Sequence, residues 1–251
     1  MTHSISRRGL RDPVKKDIAM QLVSSAENSS LDWKAQYAYI EYNVEGNPDE
    51  NRGYTGGIIG FTSATHDMLE VVRHYDKIAP ANLLTPFVPA LTKVDGTPSR
   101  AGLGNKFVKA WKAAAKDPKF RTAQDHERDG VYFNPAVRQA EADKLQELGQ
   151  FIYYDAIVMH GSGHDPNSFG AIRRSAIRKA ALPSHGGDET TFLNAFLDAR
   201  KVAMKAEQGH QDTSRVDTMQ RKFLKEGNLA LDLPLEFKVY GDKYRIPESE
   251  T

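Results

Sequence analysis

Glu27 stands in QLVSSAENSSLDW where an apolar stripe should continue. It follows Val23 by four residues and Ala19 by eight, so a helix that reaches it carries its carboxylate on the core-facing side. Desolvation there disfavours the ionised form and raises the pKa, which suits a general acid working near neutral pH. The same position also suits a helix-end Glu that swings to solvent or bonds the polar Ser24, Ser25, Asn28, Ser29 and Ser30. Position alone does not separate the two uses.

Two further charges sit on apolar stripes. Asp155 follows Phe151 by four and Leu148 by seven, and Arg200 follows Phe196 by four and Leu193 by seven. Buried charges are costly unless paired and hydrogen-bonded, so opposite signs on two core-facing stripes are expected to meet. Arg215, in DTSRVD, is a candidate third member. Such a group serves either as a structural ion pair or as a charge network tuning a nearby acid.

A second carboxylate is available in the loop EGNPDENRGYTGG, which offers Glu45, Asp49 and Glu50. Loop carboxylates are usually solvated or form Asx turns. An acid on a helix facing a carboxylate on a β loop is also the arrangement glycoside hydrolysis uses, and Thr55 is near enough in sequence to hold a water. HExxH, P-loop and GxSxG motifs are absent. GYTGGIIG lacks Rossmann spacing. His160 and His164 are four apart, but Gly161 and Gly163 argue against one helix carrying both, so no metal site is expected.

The elements that must position these residues are mostly helical. Stripes predict helices from Pro13 to about Ala26, over about 65–78, and through Phe107, Trp111 and Ala115 to before Pro118. A long helix is expected over 135–160, with Asn134 as N-cap and Pro135 in its first turn. Others are expected from about Asp188 to Gln208, and from Thr213 to Glu226 with Gly227 at C′. Between the first two, Tyr37, Tyr39 and Glu41 alternate with Ala38 and Ile40. A turn cluster and a β-branched run from Tyr54 to Phe61 follow, which reads as a hairpin or small sheet.

Composition bounds the partners. The 251 residues carry 34 basic and 33 acidic side chains, a net charge of +1, so no global field selects nucleic acid or a membrane surface. No cysteine is present, which excludes disulfides and thiolate chemistry. No apolar run is long enough to span a bilayer, and MTHSISRRGL has no apolar signal-peptide core.

Six stretches together resemble the family 46 glycoside hydrolases, the bacterial chitosanases. They are QLVSSAENSSLDWKAQYAYIE, RGYTGGIIGFTSATHDMLE, ERDGVYF, ELGQFIYYDAIVMHG, GGDETTFLNAFLDAR and DTSRVDT, which lie between residues 21 and 218, and the resemblance extends from about residue 10 to about residue 245. The resemblance implies a single domain over 1–251, mostly helical α+β, with a two-lobed lysozyme-like fold. A small β-sheet would lie in one lobe, a cleft between the lobes, and a flexible tail over the first ten or so residues. It implies endo-hydrolysis of the β-1,4 bonds of chitosan with inversion, no cofactor, and a secreted monomer acting on glucosamine oligosaccharides.

Glu27 matches the family's general acid. The base is an Asp two residues before the Arg of DGRGYT; here the register gives Glu50, in a longer loop DENRGYT, with Asp49 as the alternative. Thr55 matches the threonine that orients the attacking water. Arg52, Asp67, Tyr39 and His210 are the substrate-binding candidates, with Gln211 where many relatives carry Asp. Asp155, Arg200 and Arg215 match a buried network coupled to the acid. Trp33 and Trp111 match core tryptophans. A lysozyme-like hydrolase of acetylated glycans and a non-catalytic chitosan-binding protein are the competing expectations.

Overall fold

The computed structural model describes residues 9–43, 52–163, 165–207 and 212–248. The chain divides into two compact units, Met1–Leu31 with Tyr132–Thr251, and Asp32–Val131. The first unit begins with a short 3-10 turn, Gly9–Arg11, in which Gly9 and Leu10 are buried. Leu10 N donates to Gln150 Oε1 at 2.8 Å, so the expected tail does not extend to residues 9 and 10. Helix α1, Pro13–Glu27, follows. Asp12 caps it by accepting from Val14 N and Lys15 N, and Pro13 needs no donor at that position. Ile18, Leu22 and Val23 supply its buried stripe.

The second unit holds a three-stranded antiparallel sheet of β1 Ile40–Tyr42, β2 Tyr54–Gly56 and β3 Phe61–Thr62, in the order β1-β2-β3. Thr55 pairs with Glu41 on one side and Thr62 on the other. Gly57 turns the chain after β2 at φ +79, where an added Cβ would lie 2.5 Å from Gln124 Oε1 and 2.8 Å from the Phe61 ring. Only glycine fits there. Helices α2 Asp67–Ile78, α3 Val88–Val94, α4 Gly104–Ala114 and α5 Pro118–Arg128 complete the unit. They bury Phe61, Val72, Phe107, Trp111 and Phe120 completely, each worth about 1.5–3 kcal/mol relative to exposure. Trp111 meets Phe120 edge-on at 4.9 Å, and Trp33 packs on Tyr37 at 5.8 Å. Both tryptophans are packing residues.

The expected helix over 135–160 is two helices, α6 Asn134–Ala142 and α7 Glu147–His160. Asn134 is not a cap: the chain enters α6 from a π-helical turn, Asp129–Phe133, with Phe133 already helical. The wider turn accommodates Pro135, which has no N–H to give. The break falls at Lys144, which is left-handed at φ +62. Asp143 beside it is held by Tyr153 Oη and Arg173 Nε, both at 2.7 Å. The stripe had read through because Val137 and Ala140 on one side, and Leu148 and Phe151 on the other, are all buried.

Helix α8, Phe169–Ile177, precedes α9, Glu189–Ala206, which Asp188 caps through Thr191 N at 2.8 Å. The expected helix from Thr213 to Glu226 is a π-helical turn, Arg215–Gln220, followed by α10, Arg221–Lys225. Gly227 closes it at φ +69. Its N–H reaches Leu224 O, and Asn228 N reaches Phe223 O, so the C′ glycine stands where the sequence put it. A hairpin of β4 Leu235–Val239 and β5 Asp242–Ile246 ends the unit.

Candidate functional site

Glu27 is the last residue of α1. The stripe predicts burial, but the residue is exposed and its side chain keeps 31% of its accessibility. Ser24, Ser25 and Ala26 just before it are still buried, so it is the last side chain alone that turns out to solvent. It is oriented by a guanidinium instead: Arg215 Nη2 donates to Glu27 Oε1 at 2.8 Å and to Asp155 Oδ1 at 2.6 Å. Arg200 Nη1 donates to Asp155 Oδ2 at 2.6 Å and to Gln220 Oε1 at 3.1 Å. Gln220 Nε2 completes the set on Asp155 Oδ2 at 2.7 Å. Thus α1, α7, α9 and the π-helical turn each contribute, and the stripe anomalies at Asp155 and Arg200 do meet.

Asp155 and Arg200 have no exposed side-chain surface, and Arg215 almost none. Burial alone would raise the Asp155 pKa. The guanidinium charges of Arg215 and Arg200 overcome it and hold the carboxyl well below the usual carboxylate range. Burial opposes charge on Arg215 too, but Asp155 and Glu27 raise its pKa. Two cations therefore stand against two carboxylates. Burial also raises the pKa of Tyr240, with Arg215 opposing that rise and Glu27 adding to it. Gln220 was not foreseen, yet it lies on the buried run Val216, Met219, Phe223, so the anomaly that marks Asp155 also marks it.

In the second unit, Thr55 Oγ1 is buried with no hydrogen-bond partner among the described residues. A buried hydroxyl left unpaired is a place for a water or a ligand oxygen. Arg52 is exposed just before β2. Tyr39 Oη donates to Glu41 Oε2 at 3.2 Å. Asp67, the first residue of α2, is buried, and its Oδ1 accepts from Thr62 N, Thr65 Oγ1 and Met68 N at 2.9–3.0 Å. That oxygen holds the β3–α2 turn. Half-buried Glu127 of α5 has a pKa raised by burial and by the charges of Asp67 and Glu70, which marks a locally acidic surface. Asp49, Glu50, His210 and Gln211 lie outside the described residues. Among the described residues no group of three or more His, Cys, Asp or Glu is placed to hold a metal, and no helix is long and apolar enough to cross a membrane. His160 ends α7 and Gly161 leaves it at φ +70; His164 is not described.

The family model of glycosyl hydrolase family 46 matches residues 21–235. A chitosanase from Streptomyces sp. (strain N174) is 64% identical over 238 residues, covering 95% of this chain and 84% of that protein. Among solved structures, the co-crystal structure of chitosanase OU01 with substrate has a TM-score of 0.89 at 55% identity, covering 95% of this chain and 98% of the other. The Gynuella sunshinyii GH46 chitosanase in complex with chitotetraose has a TM-score of 0.82 at 34% identity, covering 93% and 97%.

Proposed function

The chain belongs to glycosyl hydrolase family 46, and we propose that it cleaves the β-1,4 bonds of chitosan internally, with inversion at the anomeric carbon. The observation that carries the site assignment is the double use of Arg215 Nη2, which ties the accessible Glu27 carboxyl to the buried Asp155. Arg215 occupies Oε1, leaving Oε2 to carry the proton to the glycosidic oxygen as the bond breaks. Once the proton has gone, the carboxylate left behind faces a guanidinium already positioned for it. Asp155 offsets that guanidinium while Glu27 is neutral.

The base is Glu50 by register, with Asp49 as the alternative. It takes a proton from a water on the opposite face of the sugar, and Thr55 Oγ1 holds that water. Inverting pairs sit about 6.5–9.5 Å apart to make room for it. Replacing Glu50 and Asp49 separately by their amides names the base: loss of activity in only one assigns it. Arg52, Tyr39, Asp67 and His210 contact the glucosamine chain, and the acidic surface around Asp67 and Glu127 suits its ammonium groups. Salt therefore weakens binding, and a Michaelis constant unchanged at high salt would contradict the electrostatic part.

The substrate is a polymer that cannot cross a membrane, so the enzyme acts outside the cell, as a monomer; light scattering at one chain's mass tests the latter. Release of reducing ends from glucosamine oligomers and not from fully acetylated oligomers supports the function. The reverse preference would assign a lysozyme-like hydrolase. Binding without release would assign a chitosan-binding protein.

A further inference from the structure

His160 is the last residue of α7, its side chain is wholly buried, and the chemistry proposed above does not use it. Its two ring nitrogens meet different partners. Arg200 Nε points at Nε2 over 3.4 Å. A guanidinium can only donate, so Nε2 is the acceptor. Glu207 Oε1 lies 3.3 Å from Nδ1, and a carboxylate accepts, so Nδ1 carries the hydrogen. Together the two contacts select one neutral tautomer.

We infer that His160 is a positioning residue whose neutral Nδ1–H tautomer bridges Arg200 of the buried network to Glu207 at the exit of α9. Glu207 is the C-terminal cap of α9, and the chain runs from it to His210 within three residues (210 − 207). His160 thus ties the end of α9, three residues before the substrate-binding candidate His210 in sequence, to the network that holds Glu27. The functional half of this inference rests on the chitosanase reading.

The charged groups facing the ring are Arg200 of α9, Glu207 at its end, and Arg215 of the π-helical turn. Burial and then Arg200 push the ring's pKa down to about 4, against the opposing pull of Glu207. A second positive charge beside Arg200 would repel it. The ring therefore stays neutral in the mildly acidic range where chitosan is a polycation.

Nitrogen-15 NMR of the whole chain reads the tautomer without any variant. At pH 6 the ring shows a protonated-type Nδ1 and an unprotonated-type Nε2, with a titration midpoint near 4. An Nε2–H ring, or a midpoint at the ordinary histidine value, overturns the inference. Two substitutions then divide the contacts. His160→Gln keeps an acceptor near Nε2 and loses the donor to Glu207; it raises KM on glucosamine oligomers about tenfold and leaves kcat within about twofold. His160→Asn keeps a donor near Nδ1 and leaves Arg200 Nε unpaired; it holds KM within about threefold and lowers kcat about fivefold. The same KM and kcat in both variants would reduce His160 to a packing residue. A wild type inactive on these oligomers would overturn the chitosanase reading while the tautomer result stood on its own.

Discussion

Each unit buries an arginine against carboxylates, and the two systems are built differently. In the second unit Arg128 lies over the Trp33 ring at 5.6 Å and pairs with Asp125 and Asp129, both at 2.9 Å. These two carboxylates are three residues and one residue away and keep partial exposure, and Asp125 also accepts from Tyr37 Oη at 2.8 Å. In the first unit Arg200 and Arg215 reach Asp155 across 45 and 60 residues, and Arg215 reaches Glu27 across 188. Asp155 has no exposed side-chain surface. The local system anchors one helix end on an aromatic ring. The long-range system exists only when four elements have come together, and it ends on a carboxylate that solvent can reach. A charge buried this way is poor value for stability alone, which is why its accessible end is the place to look for chemistry.

The contrast can be broken most severely at Asp155. Asp155→Ala leaves two buried guanidiniums without their shared partner and costs about 3–5 kcal/mol in denaturant unfolding. The native carboxylate's pKa is depressed, so its contribution is complete above the unfolded value near 4 and lost as pH falls through the lower folded value. Asp155→Ala lacks that acid-range dependence.

Acid also acts through His160, with the window set by its own values of 6.5 and about 4. Between them the unfolded chain binds a proton that the native ring does not. Stability therefore falls on acidification through this range by about 1.4 kcal/mol per pH unit, and is unaffected by His160 above it. Chemical unfolding at stepped pH, compared with His160→Gln, isolates the effect. Gln220→Ala strips one donor and one acceptor from the network and costs about 1–3 kcal/mol. Asp125→Ala takes one carboxylate from Arg128 and the acceptor from the buried Tyr37 hydroxyl, and costs about 1–3 kcal/mol. If Asp125→Ala cost as much as Asp155→Ala, the two systems would not differ in kind.

The same difference explains what was legible in the sequence. Asp155 and Arg200 announced themselves because a charge on an apolar stripe needs a partner, and each supplied the other. Glu27 gave the same signal for a partly wrong reason. Periodicity carries the stripe to the end of α1, where Ala26 is still buried, but it does not register that the final side chain turns out to solvent. The break at Lys144 and the π-helical turns Asp129–Phe133 and Arg215–Gln220 were missed because they leave the spacing of buried residues nearly unchanged. The β4–β5 hairpin was not read, although its signal is present: Leu235, Phe237 and Val239 alternate with exposed Glu236 and Lys238, and Gly241 follows at the turn with φ +89. Loop length and loop composition fix no geometry, so Asp49 and Glu50 remain a choice for chemistry to make.

The central claim is that Glu27 delivers the proton. Reducing ends released from chitosan by wild type and by Glu27→Gln, matched for native fold by circular dichroism, test it most directly. A positioned general acid contributes about 10²–10⁴-fold, so the variant should lose activity by that factor with its unfolding midpoint little changed. Equal release by the two proteins would contradict the account.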